Sequence, residues 1–141
     1  VRDEELPPLR AQWLIYPITD WGGGTRSRKL FAHGFLLDEP QIEWFHRHYL
    51  PGDEVDDFRA SPLRARSLAG LPPALVSTAG FDPLRDEGEA YAARLAREGT
   101  RAIARRRESL IHGFAGMRFA TSACAAVDED IAWLKAELDR A

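Results

Sequence analysis

Proline and glycine divide the chain into apolar runs of different character. Leu9 to Tyr16 follows Pro7-Pro8 and stops before Pro17, and Ala74 to Ala79 follows Pro72-Pro73 and stops at Gly80. Both runs are short and nearly continuous, which is the form of strands covered on both faces. A third strand is expected over Arg101 to Arg106 after Gly99, although Ala102 and Ala104 give it little intrinsic strand preference. Between the second and third runs, Asp86 to Glu98 sets Tyr91 and Leu95 on one face at i,i+4. Gly99 then stands where a terminating glycine ends a helix. From Thr121 to Leu138, Cys124, Val127, Ile131, Leu134 and Leu138 step by threes and fours, predicting a helix that lies on a sheet. Strand and helix in alternation imply parallel pairing through crossover helices, hence an α/β layered fold.

Residues 20–71 break this rhythm. They hold Gly22-Gly23-Gly24, several acids (Asp53, Asp56 and Asp57) and scattered aromatics, the composition of an insert or lid above a sheet. Asp38 and Gln41 have capping-box spacing, and Ile42, Phe45 and Tyr49 then share a helical face expected to pack on the sheet's C-terminal edge. The triple glycine has an oxyanion-loop composition but lacks a preceding histidine, so a plain loop is expected.

Composition adds limits. With 141 residues, 45% hydrophobic and 29% charged, the chain suits one globular domain with a moderate core. A net charge of −3 argues against a nucleic-acid partner, and the basic cluster Arg101, Arg105, Arg106 and Arg107 reads as a solvated strand end. No run approaches a membrane span of about 18 apolar residues, and no leader-like start is seen. One cysteine, Cys124, excludes an internal disulfide and suits the cytoplasm, the expected location. The chain opens at Val1, and Arg2 to Glu5 read as the tail of an unfinished helix, so a longer parent is expected.

The chemistry-bearing residues are few. Asp82 follows the second strand and His112 the third, the latter after a short expected loop with Gly113 beside it. The C-terminal edge of an open parallel sheet is where such folds gather their sites. A carboxylate there orients a histidine; an aspartate before proline also commonly caps a helix, and both roles stand open for Asp82. Asp86, one turn further on, suits the helix N-terminus. His33 precedes the acid without a strand before it. His46 and His48 point to nearly opposite sides of a helix, so a shared metal ion is not expected. Acid then histidine is the second half of a Ser…Asp…His order, yet no Gly-x-Ser-x-Gly occurs in the chain.

Ala79-Gly80-Phe81-Asp82-Pro83-Leu84-Arg85-Asp86-Glu87-Gly88 and Leu110-Ile111-His112-Gly113-Phe114 together resemble the hormone-sensitive-lipase-like esterases, a branch of the α/β-hydrolase fold. Leu14-Ile15-Tyr16-Pro17, Trp44-Phe45, Ser61-Pro62-Leu63 and Gly70-Leu71-Pro72-Pro73-Ala74 stand in that family's order, so the resemblance covers nearly the whole chain. It implies the C-terminal part of an α/β-hydrolase sheet, its last three strands, with residues 20–71 contributing to a cap. It further implies Asp82 as triad acid, His112 as base, Leu36 and Phe45 as pocket lining, no cofactor and no metal. Arg107 stands where the family often has tyrosine, and Ser109 where it often has glycine.

The expectation is therefore the C-terminal region of a carboxylic-ester hydrolase acting on small-molecule esters. Its serine and oxyanion loop would lie in a missing N-terminal half, leaving these residues inactive alone, with the last strand as a homodimer edge. The alternative expectation is a truncated, non-catalytic hydrolase-like fold that serves as an interaction module or as one half of a split enzyme.

Overall fold

The computed structural model describes residues 7–52 and 54–140; Arg2 to Glu5 and Asp53 lie outside the described residues. Three parallel strands, β1 (Gln12–Ile15), β2 (Ala74–Phe81) and β3 (Ala102–Ile111), form a sheet in the order β1-β2-β3. Between β1 and β2 lie two helices, α1 (Arg26–Leu30) and α2 (Glu39–Tyr49), and a 3₁₀ turn at Pro62–Arg64. The helix α3 (Arg85–Arg97) crosses from β2 to β3, and α4 (Thr121–Leu138) closes the described chain. The expected α/β fold is present, with α4 at its expected limits and α3 displaced by one residue.

The limits of all three strands differ from the sequence reading, β2 running two residues past Ala79 to Phe81. β1 is confined to Gln12–Ile15, whereas β3 runs on to Ile111, five residues beyond the expected end. Its arginines do not interrupt it, because pairing with β2 supplies what propensity does not. Every β2 residue from Ala74 to Gly80 is buried, as a central strand requires.

The pleat divides β2 between two layers. Ala74 and Val76 pack with Tyr91, Ala92 and Leu95 of α3 and with Leu68, while Ala79 packs with Leu110, Phe114, Ala123, Ala126 and Val127 on the α4 side. A third cluster lies above the sheet edge, where Ile42 of α2 meets Trp21, Leu37, Ala60 and Leu84. The expected capping box forms: the Asp38 carboxylate accepts from the Gln41 backbone, and the Asp38 backbone N–H donates to Gln41 Oε1 at 2.8 Å. Of the expected α2 face, Ile42 is buried, while Phe45 and Tyr49 remain partly exposed.

The α4 stripe also needs correction. Its buried residues are Ala123, Ala126, Val127, Asp130 and Glu137, while Leu138 is exposed. The helix turns two acids inward because arginines in β3 and just before it meet them. Ser77 Oγ donates to Asp130, Arg105 lies 3.2 Å and Arg107 2.5 Å from the same carboxylate, and Arg101 pairs with Glu137. Arg106 projects to the other face and meets Glu89 of α3 at 2.6 Å. The basic cluster is thus not a solvated strand end but a set of fasteners between the sheet and its helices.

Candidate active site

Asp82 and His112 are the first residues after β2 and β3. No loop separates His112 from its strand, contrary to the sequence reading. Adjacency depends on an irregularity in the pairing. The offset is 28 residues from Ala74↔Ala102 to Ala79↔Arg107, and becomes 30 at Phe81↔Ile111. Without the two additional β3 residues, Asp82 would stand level with Leu110. Gly80 lies at this bulge, where a Cβ would come within 2.1 Å of the Glu108 carbonyl oxygen, so no larger residue fits.

The two carboxylate oxygens of Asp82 have different tasks. Oδ1 accepts the Leu84 N–H at 2.8 Å, a local turn contact at the entry to α3. Oδ2 lies 2.9 Å from His112 Nδ1. One oxygen thus serves a local turn and the other faces the histidine; the N-cap of α3 is Leu84 and not Asp82, so the expected cap does not form. The Asp82 side chain is fully enclosed, and one fifth of the His112 side chain reaches solvent. A carboxylate facing Nδ1 favours the Nδ1–H tautomer, which leaves Nε2 as the basic nitrogen. Asp86 faces elsewhere: it accepts the Ser27 N–H at 2.7 Å and pairs with Arg85. His33 is exposed in the loop before α2.

The surrounding backbone is held in unusual conformations. Gly113 has φ +80°, which lets the chain turn directly after His112. Tyr16 and Leu36, both non-glycine, have φ of +38° and +75°. Such conformations carry a cost of about 1–3 kcal/mol each and collect at functional sites. The Tyr16 ring packs 4.4 Å from the His112 ring and 5.4 Å from Phe114, bracing the imidazole from the β1 side. Burial, with a smaller contribution from the Asp82 charge, raises the Tyr16 phenol above its ordinary value, so it stays neutral. Sequence reading did not single out Tyr16; its position between a strand and Pro17 was the available signal.

A cleft of about 350 Å³ opens beside His112, with Tyr16, Ile18, Leu37, Ile42, Phe45 and Leu84 in its wall. Phe45 thus joins His112 in one apolar surface. Leu36 is exposed, and its Cδ2 lies 3.1 Å from where a Cβ on Gly113 would stand; the neighbouring Leu37 forms the cleft wall. The arrangement offers an oriented imidazole next to space for an apolar group, the setting in which a histidine moves a proton for a nearby hydroxyl.

A second carboxyl lies under this edge. Glu87 of α3 is buried, accepting the Thr19 N–H at 2.8 Å and the Asp20 N–H at 3.1 Å on Oε1, while Oε2 has no hydrogen-bond partner among the described residues. Burial pushes its pKa up to about 7. It ties the segment leaving β1 to the first turn of α3.

The chain is similar to known proteins over nearly its whole length. A family model described as the alpha/beta hydrolase fold matches residues 1–116. Carboxylic ester hydrolase LipN of Mycobacterium tuberculosis is 50% identical over 142 residues, an alignment covering 99% of this chain and 38% of LipN. Among solved structures, an ester hydrolase from the Lake Arreo metagenome, EH1AB1, superposes with a TM-score of 0.87 at 40% identity, covering 97% of this chain and 44% of that one. A fungal esterase from Rhizomucor miehei superposes with a TM-score of 0.91 at 36% identity, again over 97% and 44%. The chain therefore spans well under half the length of these relatives. On the family match and its extent, the chain belongs to the α/β-hydrolase fold family, in its hormone-sensitive-lipase-like branch of esterases.

Proposed function

We propose that this chain supplies the acid and the general base of a carboxylic-ester hydrolase. The observation that carries the reading is the 2.9 Å contact between Asp82 and His112 at adjacent strand ends, beside an apolar cleft. In this mechanism a serine hydroxyl from outside these 141 residues attacks the ester carbonyl. His112 Nε2 takes the hydroxyl proton and returns it to the departing alcohol oxygen, leaving an acyl-enzyme. Water then adds to the acyl carbonyl as His112 Nε2 takes its proton, and that proton passes to the serine oxygen as its bond to the acyl carbon breaks, releasing the acid. Asp82 holds Nδ1–H toward itself and stabilises the imidazolium formed in each half-reaction.

In the same reading residues 20–71 form part of a cap over the acyl site, with Phe45 in its wall and Leu36 at its rim beside Gly113. The substrate class is a small uncharged ester. The 141 residues alone are inactive, because the attacking hydroxyl and the donors for the tetrahedral oxyanion are supplied from outside them.

The test uses the full-length protein. Asp82→Asn is expected to lower kcat on p-nitrophenyl butyrate by up to about 10⁴-fold, as loss of the correct tautomer does in related triads. Asp86→Asn is expected to stay within about tenfold, consistent with a role at a helix N-terminus. Untouched turnover in Asp82→Asn with abolished turnover in Asp86→Asn would overturn the assignment of the acid. Failure of a serine-directed phosphonate to label the active protein would overturn the acyl-enzyme route.

A further inference from the structure

The segment that leaves β1 carries the ring that braces the histidine, and it does so from a strained backbone. Tyr16 is not a glycine, yet has φ +38°, and such a conformation persists only where contacts on both sides hold it. On the near side the Tyr16 N–H donates to the Ser77 carbonyl at 2.7 Å, fixing it to β2. On the far side the segment is held by Glu87. Its Oε1 accepts the N–H of Thr19 at 2.8 Å and of Asp20 at 3.1 Å, and its backbone carbonyl accepts the Thr19 hydroxyl at 2.9 Å. Gly88, the next residue, brings the helix up against the same segment: a Cβ there would stand 3.6 Å from Pro17 Cδ and 3.1 Å from Thr78 Cγ2 of β2.

The start of α3 therefore serves both neighbours of the imidazole. Asp82, just before it, faces Nδ1 with Oδ2 and is itself set by the Leu84 N–H on Oδ1. Further along, the enclosed Glu87 carboxyl sets the span that begins at the Tyr16 ring, 4.4 Å from the His112 ring. Thr19 and Asp20 also receive the 3₁₀ turn at Pro62–Arg64: the Leu63 N–H donates to the Thr19 carbonyl at 2.9 Å, and Arg64 pairs with Asp20 at 2.7 Å. A role confined to holding that turn would register in stability and in KM, whereas a role at the imidazole registers in kcat.

We infer that Glu87 is a positioning residue for the general base: by fixing Thr19 and Asp20 it holds Tyr16 in its strained conformation, and the Tyr16 ring keeps the His112 imidazole directed at the reacting oxygen. This rests on the esterase reading above and adds to it a residue that never touches the substrate.

The experiment follows two quantities in the full-length protein at one fixed pH, the turnover of p-nitrophenyl butyrate and the proton resonances of the His112 ring. Glu87→Leu fills a similar space but leaves the Thr19 and Asp20 N–H groups without their acceptor. It is expected to lower kcat by up to about 10²-fold, the scale of a small misplacement of a reacting group, with KM unchanged. Glu87→Gln keeps an oxygen for both N–H groups and is expected to restore most of kcat. Tyr16→Ala is expected to move the His112 resonances as Glu87→Leu does. In the Tyr16→Ala background Glu87→Leu is expected to lower kcat little further, because both changes act through one contact. If Glu87→Leu folds poorly, Glu87→Asp, which withdraws the oxygen by one methylene, takes its place with the same expectations. Unchanged kcat, a change confined to KM, unmoved His112 resonances, a Glu87→Gln as impaired as Glu87→Leu, or losses that multiply fully in the double variant would each overturn the positioning role and leave the esterase reading intact. A wild type that hydrolyses no ester, with the His112 resonances still moved by Glu87→Leu, would overturn the esterase reading and leave the positioning of the imidazole standing. Absence of hydrolysis together with unmoved resonances would overturn both.

Discussion

The two faces of the sheet carry similar helices by different physics. On the α3 face, Val76, Tyr91, Ala92, Leu95 and Leu68 form an apolar layer, and the helix is held mainly by removal of carbon surface from water. On the α4 face an apolar patch around Phe114 and Val127 is joined by a buried polar network, in which Ser77, Arg105 and Arg107 converge on Asp130. Apolar packing is graded, so losing a methyl group costs a fraction of the whole. A buried ionic network is close to all-or-none, because each remaining partner becomes an unmatched charge.

The largest effect is expected at the centre of that network. Asp130→Ala should lower unfolding stability by up to about 3–5 kcal/mol, because it removes the Ser77 acceptor and the buried carboxylate shared by Arg105 and Arg107, leaving Arg107 only the partly exposed Glu129 as counter-charge. Urea denaturation would measure it. A sharper version replaces Asp130 and Arg107 together with leucine and methionine; recovery of most of the lost stability would show that charge matching, not volume, holds α4. On the opposite face Leu95→Ala should cost about 2–5 kcal/mol through a cavity, with little dependence on salt. If the Asp130 and Leu95 variants responded alike to added salt and to apolar replacement, the contrast between the faces would fail.

Glu87, a buried carboxyl on the α3 side, offers a third test. Its folded-state pKa of about 7 lies above the ordinary glutamate value of 4.5, so the folded protein holds this proton more tightly than the unfolded chain. The associated stabilisation is complete below pH ~4.5 and is lost as pH rises through 7, a swing of about 3 kcal/mol. Urea midpoints at pH 5 and pH 8 should fall with pH in the wild type and vary much less in Glu87→Gln. The smallest effect is expected where a pair faces water. Arg106 with Glu89 is partly exposed, and Glu89→Gln should change stability by no more than about 1 kcal/mol.

The contrast also explains which parts of the fold were legible. β2 and α3 announced themselves because periodic apolar residues and flanking Pro72-Pro73 and Gly99 encode burial locally. β3 was half-legible: its alanines and arginines carry weak strand preference, and its length follows from pairing with β2. On α4 the limits were readable, but the buried face was not, since Asp130 and Glu137 look solvent-facing until the arginines of a distant strand are placed beside them. Arg107, a departure from the family's usual tyrosine, is one of those arginines.

The candidate site divides in the same way. Asp82 and His112 could be named from residue type, order and position after apolar runs, and Phe45 and Leu36 from the family resemblance. Their relative placement could not. Leu36 and Leu37 are adjacent in sequence, yet Leu37 forms the cleft wall while Leu36, at positive φ, is turned outward. The Tyr16 brace and the cleft wall at Phe45 depend on elements that meet only after folding.

By itself the sequence determined the alternation of strands and helices, the central burial of β2, and the identities of an acid and a histidine, because these rest on local periodicity, turn residues and chemical type. Tertiary structure decided the two-residue slip at Gly80 that brings Asp82 level with His112, the inward turn of the α4 acids, and the apolar wall that α2 places beside His112. The physical reason is common to all three. Each depends on contacts between residues far apart in the chain, and a backbone bulge, a matched charge or a shared wall exists only when both sides are in place.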